Sequence, residues 1–242
     1  MRKSAQTDNK SLKMFFVFSG VVLFFVLISL LIKVIFVIQQ SKFDRKHQFV
    51  LSLYQDSKIK EIIKFSPQEN KTFVLDVTKN NIEIIPDAKV DYRFDLQLGP
   101  DVAKTMRDIV FRYNSVSTNL TIFDLVRLTI LSHKASVEKI DSFTTVNFFL
   151  DESIVSENTT IQIINGSAVA GEGKKLEDAL NNLGFNVISV TTSREEEKFS
   201  KVQYTGIESY TARKLKNILG FNLEKTDKAG IADIIVIIGK NK

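Results

Sequence analysis

Residues 14–38 read MFFVFSGVVLFFVLISLLIKVIFVI, a nearly unbroken apolar run close to the N-terminus. Lys33 is the only charged residue within it. A helix of about 20 apolar residues crosses the roughly 30 Å hydrocarbon core of a bilayer. The run therefore predicts a single membrane-spanning helix at 14–38, with a short tail at 1–13 before it and a soluble region from residue 43 onward.

A cleaved signal peptide is the alternative interpretation of this run. The apolar core of a signal peptide typically has about 7 to 15 residues, and small residues follow it at the cleavage site. Here the run is longer, and Gln39, Gln40, Ser41 and Lys42 follow it without that pattern. The sequence therefore favours an uncleaved signal anchor.

The charges that flank the run predict its orientation. The bases before it are Arg2, Lys3, Lys10 and Lys13, against Asp8, and those just after it are Lys42, Arg45 and Lys46, against Asp44. Because flanking bases favour the cytoplasmic side of a span, this small bias predicts a cytoplasmic tail at 1–13. We therefore expect a single-pass protein of the cell membrane whose C-terminal domains lie outside the cytoplasm.

The net charge of +5 belongs mostly to the anchor region. Residues 1–41 hold five Lys/Arg and one Asp, which leaves 28 basic and 27 acidic residues for the rest of the chain. A nucleic-acid-binding domain usually has a basic patch of its own. The balanced charge after residue 41 therefore argues against a nucleic-acid partner.

The chain has no Cys, and its two histidines are His47 and His133. The absence of Cys excludes disulfides, thiolate zinc sites and cysteine nucleophiles, and it fits an exported bacterial protein. Two distant histidines are too few for a histidine-rich metal site. No zincin, nucleophile-elbow, Walker or paired-carboxylate signature occurs, so we predict no catalytic residue, no metal and no cofactor.

Residues 43–150 are predicted to form a mixed α/β domain. Strand-type patterns occupy 49–51, 59–65, 72–77, 82–85 and 143–150, and a further alternation runs from 92 to 98. Apolar spacing predicts a helix at 102–113 that is capped by Asp101. Thr121 and Asp124 fit a capping box for a second helix, whose apolar residues from 122 to 131 predict that it is buried. Residues 151–159 are typical of a polar linker.

Residues 160–242 are predicted to form a smaller α/β domain of two βαβ-like halves. The first half has strands at 161–164 and 185–192 around a helix, and the second has strands at 201–204 and 221–225 around another helix. The run IADIIVIIG at 231–239 suits a strand that is covered on both faces. The predicted fold class is thus α/β: a transmembrane helix, a mixed α/β domain and a smaller C-terminal α/β domain.

Several short motifs follow one another in this second domain. They are Asn165-Gly166-Ser167, Gly171, Leu183-Gly184-Phe185, Val202-Gln203-Tyr204, Ala212 with Leu215, Leu219-Gly220, and Ala232-Asp233 before the last strand. On these motifs, residues 160–240 resemble the LytR C-terminal domain, which occurs in bacterial cell-envelope proteins. The chain departs from that family at Gly171-Glu172-Gly173-Lys174, where members often continue from glycine directly into an Ala-rich helix.

The sequence Asp76-Val77-Thr78-Lys79-Asn80-Asn81, followed by Ile84-Ile85-Pro86, is faintly similar to the signature of the LytR/CpsA/Psr domain. Members of that family transfer glycopolymers from a lipid pyrophosphate carrier onto peptidoglycan. The family's arginine is Lys79 here, and its aspartate is Asn80. Because lysine cannot bind pyrophosphate bidentately and an amide cannot replace a carboxylate on Mg²⁺, the signature is degenerate, which favours a non-enzymatic role.

The loop at 165–171 joins a strand to a helix, an arrangement in which backbone amides can hold a phosphate or a carboxylate. Its candidate ligand-binding residues are Asn165, Gly166, Ser167 and Gly171. Glycines at such turns also serve to allow a positive φ or close packing, and the pattern alone leaves both interpretations open.

Together these patterns predict a membrane-anchored envelope protein whose LytR C-terminal-type module binds wall glycopolymer, peptidoglycan or an envelope protein. One alternative is a divergent glycopolymer phosphotransferase of the LytR/CpsA/Psr type, which the domain order supports and Lys79 and Asn80 oppose. The other is an envelope-linked transcriptional regulator, which the balanced charge and the lack of a helix-turn-helix pattern oppose.

Overall fold

The computed structural model describes residues 8–77, 85–94, 96, 101–140, 149–227 and 230–241. These residues form six α-helices and eleven β-strands, which confirms the predicted mixed α/β class with an N-terminal apolar helix. The chain divides into two compact units, Met1–Ser41 and Lys42–Lys242.

The first unit holds helix α1 (Asp8–Gln39). Its stretch Lys13–Gln39 includes a window of mean hydropathy 3.2 and contains the whole predicted span. Among the described residues, it is the one helix that is long and apolar enough to cross a membrane.

Six strands of the second unit form a mixed sheet. They are β1 (Phe49–Gln55), β2 (Lys58–Ser66), β3 (Lys71–Asp76), β4 (Ala88–Tyr92), β5 (Val116–Thr118) and β6 (Ser136–Ile140). Their spatial order is β5-β4-β1-β2-β3-β6. The first three strands form an antiparallel meander, while β4 lies parallel to β1 and β6 lies parallel to β3.

The meander confirms the predicted strands at 49–51, 59–65 and 72–77. The described part of the alternation at 92–98 is not a strand, because β4 ends at Tyr92 and Phe94 lies in a bend. The core-facing residues here are Ala88, Val90 and Tyr92, so the strand begins earlier than the alternation indicated. The predicted strands at 82–85 and 143–150 lie largely outside the described residues.

Helices α2 (Val102–Phe111) and α3 (Ile122–Lys134) share one hydrophobic cluster with the first sheet. The predicted caps are confirmed. The Asp101 side chain accepts a hydrogen bond from the Lys104 amide, and Thr121 and Asp124 form a capping box. The expectation that this helix is well buried is only half met. Leu125 and Leu128 are buried, but the opposite face of α3 is exposed.

Five strands and two helices form the second sheet region. They are β7 (Thr160–Asn165), α5 (Glu172–Asn181), β8 (Asn186–Thr192), β9 (Lys201–Tyr204), α6 (Tyr210–Leu219), β10 (Asn222–Lys225) and β11 (Ile234–Ile238). The strand pairs β7–β8 and β9–β10 are parallel, and one helix connects the two strands of each pair. The two predicted βαβ halves are therefore present. The apolar β11 lies between the halves, in the order β10-β9-β11-β7-β8.

Helix α4 (Glu152–Glu157) occupies the stretch that was predicted as a polar linker, 151–159. Ile154 is buried, and the Asp151 side chain caps the helix by accepting the Ser153 amide at 3.0 Å. The Glu157 carboxylate in turn accepts hydrogen bonds, each at 2.8 Å, from the amides of Tyr210 and Thr211 at the start of α6. The stretch is therefore folded against α6, while the domain boundaries on either side of it stay a prediction.

A single hydrophobic cluster joins the two sheets. The first sheet contributes buried residues of β1, β2 and β3, and the second contributes residues of β7, β9, α6 and β11, among them Val50, Ile62, Leu75, Ile161, Val202, Leu215 and Val236. Each such side chain stabilises the fold by about 1.5–3 kcal/mol through burial. The two sheets therefore stabilise each other within the Lys42–Lys242 unit.

Candidate functional sites

The loop at 165–171 connects β7 to α5, and its polar side chains bond to the loop itself. The Asn165 amide group donates to the Val169 carbonyl at 2.8 Å. Its side-chain oxygen accepts from the Ser167 amide at 3.1 Å and from the Ser167 hydroxyl at 2.8 Å. Because Asn165 and Ser167 are buried and bonded in this way, these side chains fix the shape of the loop.

The two candidate glycines meet different backbone requirements. A Cβ at Gly166 would lie 2.6 Å from Cγ of Glu197, so the Glu197 side chain leaves no room for a side chain at this position. The Gly166 amide donates a hydrogen bond to the Ile238 carbonyl at 2.8 Å. Gly171 has a φ of +84° at the N-cap of α5, a conformation that favours glycine. The N-terminus of α5 directly follows Gly171, and the N-terminus of a helix attracts anions through the helix dipole. A binding role for the four candidate residues stays a prediction.

One of the two lysines in the first turn of α5, Lys174, is paired with acidic side chains of the same helix. Lys174 Nζ lies 2.7 Å from Glu177 Oε2 and 3.1 Å from Asp178 Oδ1. These side-chain hydrogen bonds, with Glu177 first, raise the pKa of Lys174. Any attraction of an anion to this end of α5 therefore comes from the backbone more than from Lys174.

An open cleft of about 510 Å³ lies beside β4 and β5, at the edge of the first sheet. It is lined by Tyr54, Ser57, Lys89, Asp91, Ser117, Thr118 and Asn119. The Lys89 ammonium lies 5.8 Å from the centroid of the Tyr54 ring. Burial raises the pKa of the Tyr54 phenol, which therefore stays protonated at neutral pH and can donate a hydrogen bond.

The lining of this cleft suits a ligand with many hydroxyl groups. A sugar ring has a C–H face that can rest on an aromatic ring, and hydroxyls that hydrogen-bond to carboxylate, amide and hydroxyl side chains. Tyr54 supplies the ring, while Asp91, Ser117 and Asn119 supply donors and acceptors. The cleft could not be predicted from the sequence, because its residues meet only through strand register, which pairs Tyr54 with Asp91 and Asp91 with Ser117.

A pair of acids lies on neighbouring strands of the same sheet. Glu61 on β2 is directly opposite Asp76 on β3. Glu61 is 4% exposed, and burial, followed by the Asp76 charge, raises its pKa to about 7 against the opposing effect of Lys139. A buried carboxyl that titrates near neutral pH can act as a general acid or base.

This pair was not found in the sequence, because two acids on different strands meet only through the register of the hairpin. Asp76 begins the segment that is similar to the LytR/CpsA/Psr signature, but Lys79 and Asn80 lie outside the described residues. In the part of the chain that the structure describes, no three His, Asp or Glu side chains are arranged to hold a metal ion.

We expect Glu61 to make stability depend on pH. Its pKa rises from an ordinary value of 4.5 to about 7, so the native state binds more protons than the unfolded state in this window. The contribution of Glu61 to the free energy of unfolding is therefore fully present below pH 4.5. The free energy of unfolding falls by about 3 kcal/mol as the pH rises through 7. Urea unfolding of the Lys42–Lys242 unit at pH 5 and pH 8 measures this loss.

The matched variants are Glu61→Gln and Glu138→Gln, the latter at an exposed acid on β6. Glu61→Gln should be more stable than the parent protein at pH 8 and should remove most of the pH dependence. Glu138→Gln should leave it in place. An unchanged pH dependence in Glu61→Gln would show that this carboxyl titrates at its ordinary value.

A largely buried lysine, whose side chain is 11% exposed, joins α6 to the first sheet. Lys214 Nζ lies 2.7 Å from Asp87 Oδ1 and 3.3 Å from Asp151 Oδ2, and it donates to the Gln48 carbonyl at 3.1 Å. Burial alone would lower the pKa of this ammonium, but the two carboxylates outweigh it and the pKa is raised. Lys214 is therefore charged and paired inside the protein.

Further contacts complete this Lys214 cluster. The Tyr210 hydroxyl donates to Asp151 Oδ2 at 2.7 Å, and Asp87 Oδ2 accepts the Val50 amide at 2.7 Å. The His47 ring stacks on the Tyr210 ring with centroids 3.8 Å apart. The cluster fixes the second sheet region against the first through directional bonds that a purely apolar contact would lack.

Comparison with known proteins identifies the C-terminal part of the chain. Residues 158–241 match the LytR_C family, which is described as LytR cell envelope-related transcriptional attenuator. This match confirms the resemblance at 160–240. No curated protein and no solved structure matches the chain significantly. The LytR_C domain and the candidate membrane helix together fit a cell-envelope protein.

Proposed function

We propose that this chain is a single-pass, membrane-anchored bacterial envelope protein that binds a cell-wall glycopolymer outside the cytoplasm. The cleft beside Tyr54 is the observation that carries this proposal, because its ring and its polar lining suit a polyhydroxylated ligand. The LytR_C domain at 158–241 supports the envelope context. The absence of Cys and the bases that precede the apolar run at 14–38 support the orientation.

The loop at 165–171 is a second place where a polymer could bind. Its side chains are used internally, so a ligand there would be held by the backbone at the start of α5 and would carry negative charge. The cleft instead offers an aromatic ring and side-chain donors and acceptors. Variants in the cleft and in the loop therefore distinguish a sugar-binding contact from an anion-binding contact.

Tyr54→Ala is expected to weaken binding of the Lys42–Lys242 unit to wall polymer by about tenfold, because an aromatic contact of this kind is worth about 0.5–1.5 kcal/mol beyond the apolar area that it buries. The measurement is retention of the purified unit on isolated cell walls and on walls that have been stripped of their glycopolymer. Phe111→Ala is the matched control, since Phe111 is an aromatic residue that is 80% exposed elsewhere on the unit.

Retention by intact walls that Tyr54→Ala lowers and Phe111→Ala leaves unchanged would support the cleft. Equal retention of all three proteins would contradict a role for the cleft, and loss of retention in a Gly171→Asp variant alone would move the contact to the loop. Absence of retention by any wall preparation would contradict the proposed function as a whole.

A divergent glycopolymer transferase is the second candidate, and the Glu61–Asp76 pair is the observation that favours it. A carboxyl with a pKa of about 7 can accept a proton from an attacking hydroxyl at neutral pH. Turnover of a lipid-linked glycopolymer by the full chain, lost in Glu61→Gln and kept in Glu138→Gln, would establish this function. Binding without turnover would leave the binding role.

A further inference from the structure

The outer face of α3 is apolar and exposed. Ile122, Val126 and Ile130 follow one another at intervals of four residues, which places them on one side of the helix. Their exposed fractions are 41%, 39% and 47%. We call these three residues the α3 stripe. In the LytR_C region, by contrast, most of the apolar side chains that are exposed are isolated from one another, as at Ile188, Ile207 and Ile231. Isolated exposed apolar residues are common on protein surfaces.

The start of the Lys42–Lys242 unit is hydrogen-bonded to the first turn of α3. The Lys42 and Phe43 amides donate to the Asp124 carboxylate at 3.3 and 3.1 Å. Arg127, one turn further along α3, donates to the Phe43 carbonyl at 3.4 Å. Phe43 and Asp124 are buried, so the bond between the Phe43 amide and the Asp124 carboxylate is protected from water.

The covalent chain limits how far this attachment can be from a bilayer. Helix α1 ends at Gln39, so Gln40 and Ser41 alone separate it from Lys42. Three residue steps span at most about 11 Å. If α1 spans the membrane, the first turn of α3 must therefore stay close to the membrane surface.

We propose that the α3 stripe rests on the lipid bilayer that α1 spans. An apolar helix face at a membrane surface buries about 5–10 Å into the boundary between headgroups and acyl chains. Exposed cations stand next to the attachment, at Arg45 and Lys46, beside the single acid Asp44, and Lys134 is exposed at the far end of α3. These bases attract anionic headgroups to the same surface.

The proposal rests on the membrane anchoring in the proposed function, and the test separates the two. The full chain is reconstituted into vesicles of phosphatidylethanolamine and phosphatidylglycerol, and resistance to alkaline extraction reports the anchor. Because the chain has no Cys, Val126→Cys and Ile130→Cys each carry one environment-sensitive dye. Ile207→Cys is the matched control, since Ile207 is 92% exposed in the LytR_C region.

Nitroxide lipids with a shallow spin label then quench any dye that enters the bilayer surface. We expect quenching at 126 and 130 to exceed quenching at 207 by at least roughly twofold. Equal quenching at 126, 130 and 207 in vesicles that retain the anchored chain would overturn the proposal. Energy transfer between dyes on different chains, without quenching by lipid, would assign the stripe to a second copy and would also overturn it.

Discussion

Lys214→Ala is expected to destabilise the Lys42–Lys242 unit by about 3–5 kcal/mol, the range for breaking a buried ion pair by removing one partner. Asp87 is 5% exposed, and Asp151 is 4% exposed. Without the ammonium, the two buried carboxylates would lose the cation that now lies 2.7 Å from Asp87 and 3.3 Å from Asp151. We therefore expect the largest single effect of any charged residue in the unit.

The measurement is urea-induced unfolding of the purified unit, followed by circular dichroism. Lys216→Ala is the matched control, because Lys216 is an exposed lysine on the same helix, two residues away. That control should change stability by less than about 0.5 kcal/mol. Similar midpoints for the two variants would contradict the paired, buried state of Lys214.

A combined variant separates the loss of the charge pair from the loss of packing. Asp87→Asn, Asp151→Asn and Lys214→Met together remove all three charges and keep the approximate volumes. Since replacing a whole buried ion cluster is much less destabilising than removing one member, this protein should be more stable than Lys214→Ala. A combined variant that is equally unstable would assign the effect to packing of the lysine stem.

Asp124→Ala is expected to destabilise the same unit by about 3 kcal/mol, because one buried and three partly buried donors lose their acceptor at once. The carboxylate accepts the amides of Lys42, Phe43 and Thr121 and the Thr121 hydroxyl, at distances from 2.8 to 3.3 Å. It closes the capping box of α3 and attaches the start of the unit to that helix. The substitution therefore weakens both contacts.

Asp101→Ala is the control for the capping contribution alone. Asp101 is an exposed N-cap whose side chain accepts the Lys104 amide at 2.9 Å, so its loss should cost about 1 kcal/mol. Thermal unfolding of both variants gives the comparison. Equal losses would mean that the bonds to Lys42 and Phe43 add nothing to stability, and they would also weaken the case for the α3 stripe at the membrane.

The C-terminal region was well predicted because its signals are local. The strand at Lys201–Tyr204 and the run that became β11 each follow from a few consecutive residues. Two parallel pairs around two helices then follow from the alternation of strand and helix. The first sheet was harder, because its parallel β1–β4 and β3–β6 pairs join residues that are far apart in sequence.

The sites depended even more on distant contacts. The Lys214 cluster combines residues of α6 with Asp87 and Gln48, and no spacing in the sequence marks that meeting. The cleft and the Glu61–Asp76 pair arise from strand register in the same way. The α3 stripe was misjudged because an apolar helix was taken as a buried one, whereas its outer face is exposed.

The location of the Lys42–Lys242 unit relative to the membrane is the claim on which the proposed function depends most. Ile207→Cys and Ser4→Cys give two single-thiol chains, one labelled in the LytR_C region and one in the N-terminal tail. The measurement is labelling by a membrane-impermeant maleimide in cells whose wall is opened and whose membrane is sealed. We predict that Ile207→Cys is labelled at once and that Ser4→Cys is labelled only after the membrane is lysed. The reverse order would place the LytR_C domain in the cytoplasm and contradict wall binding.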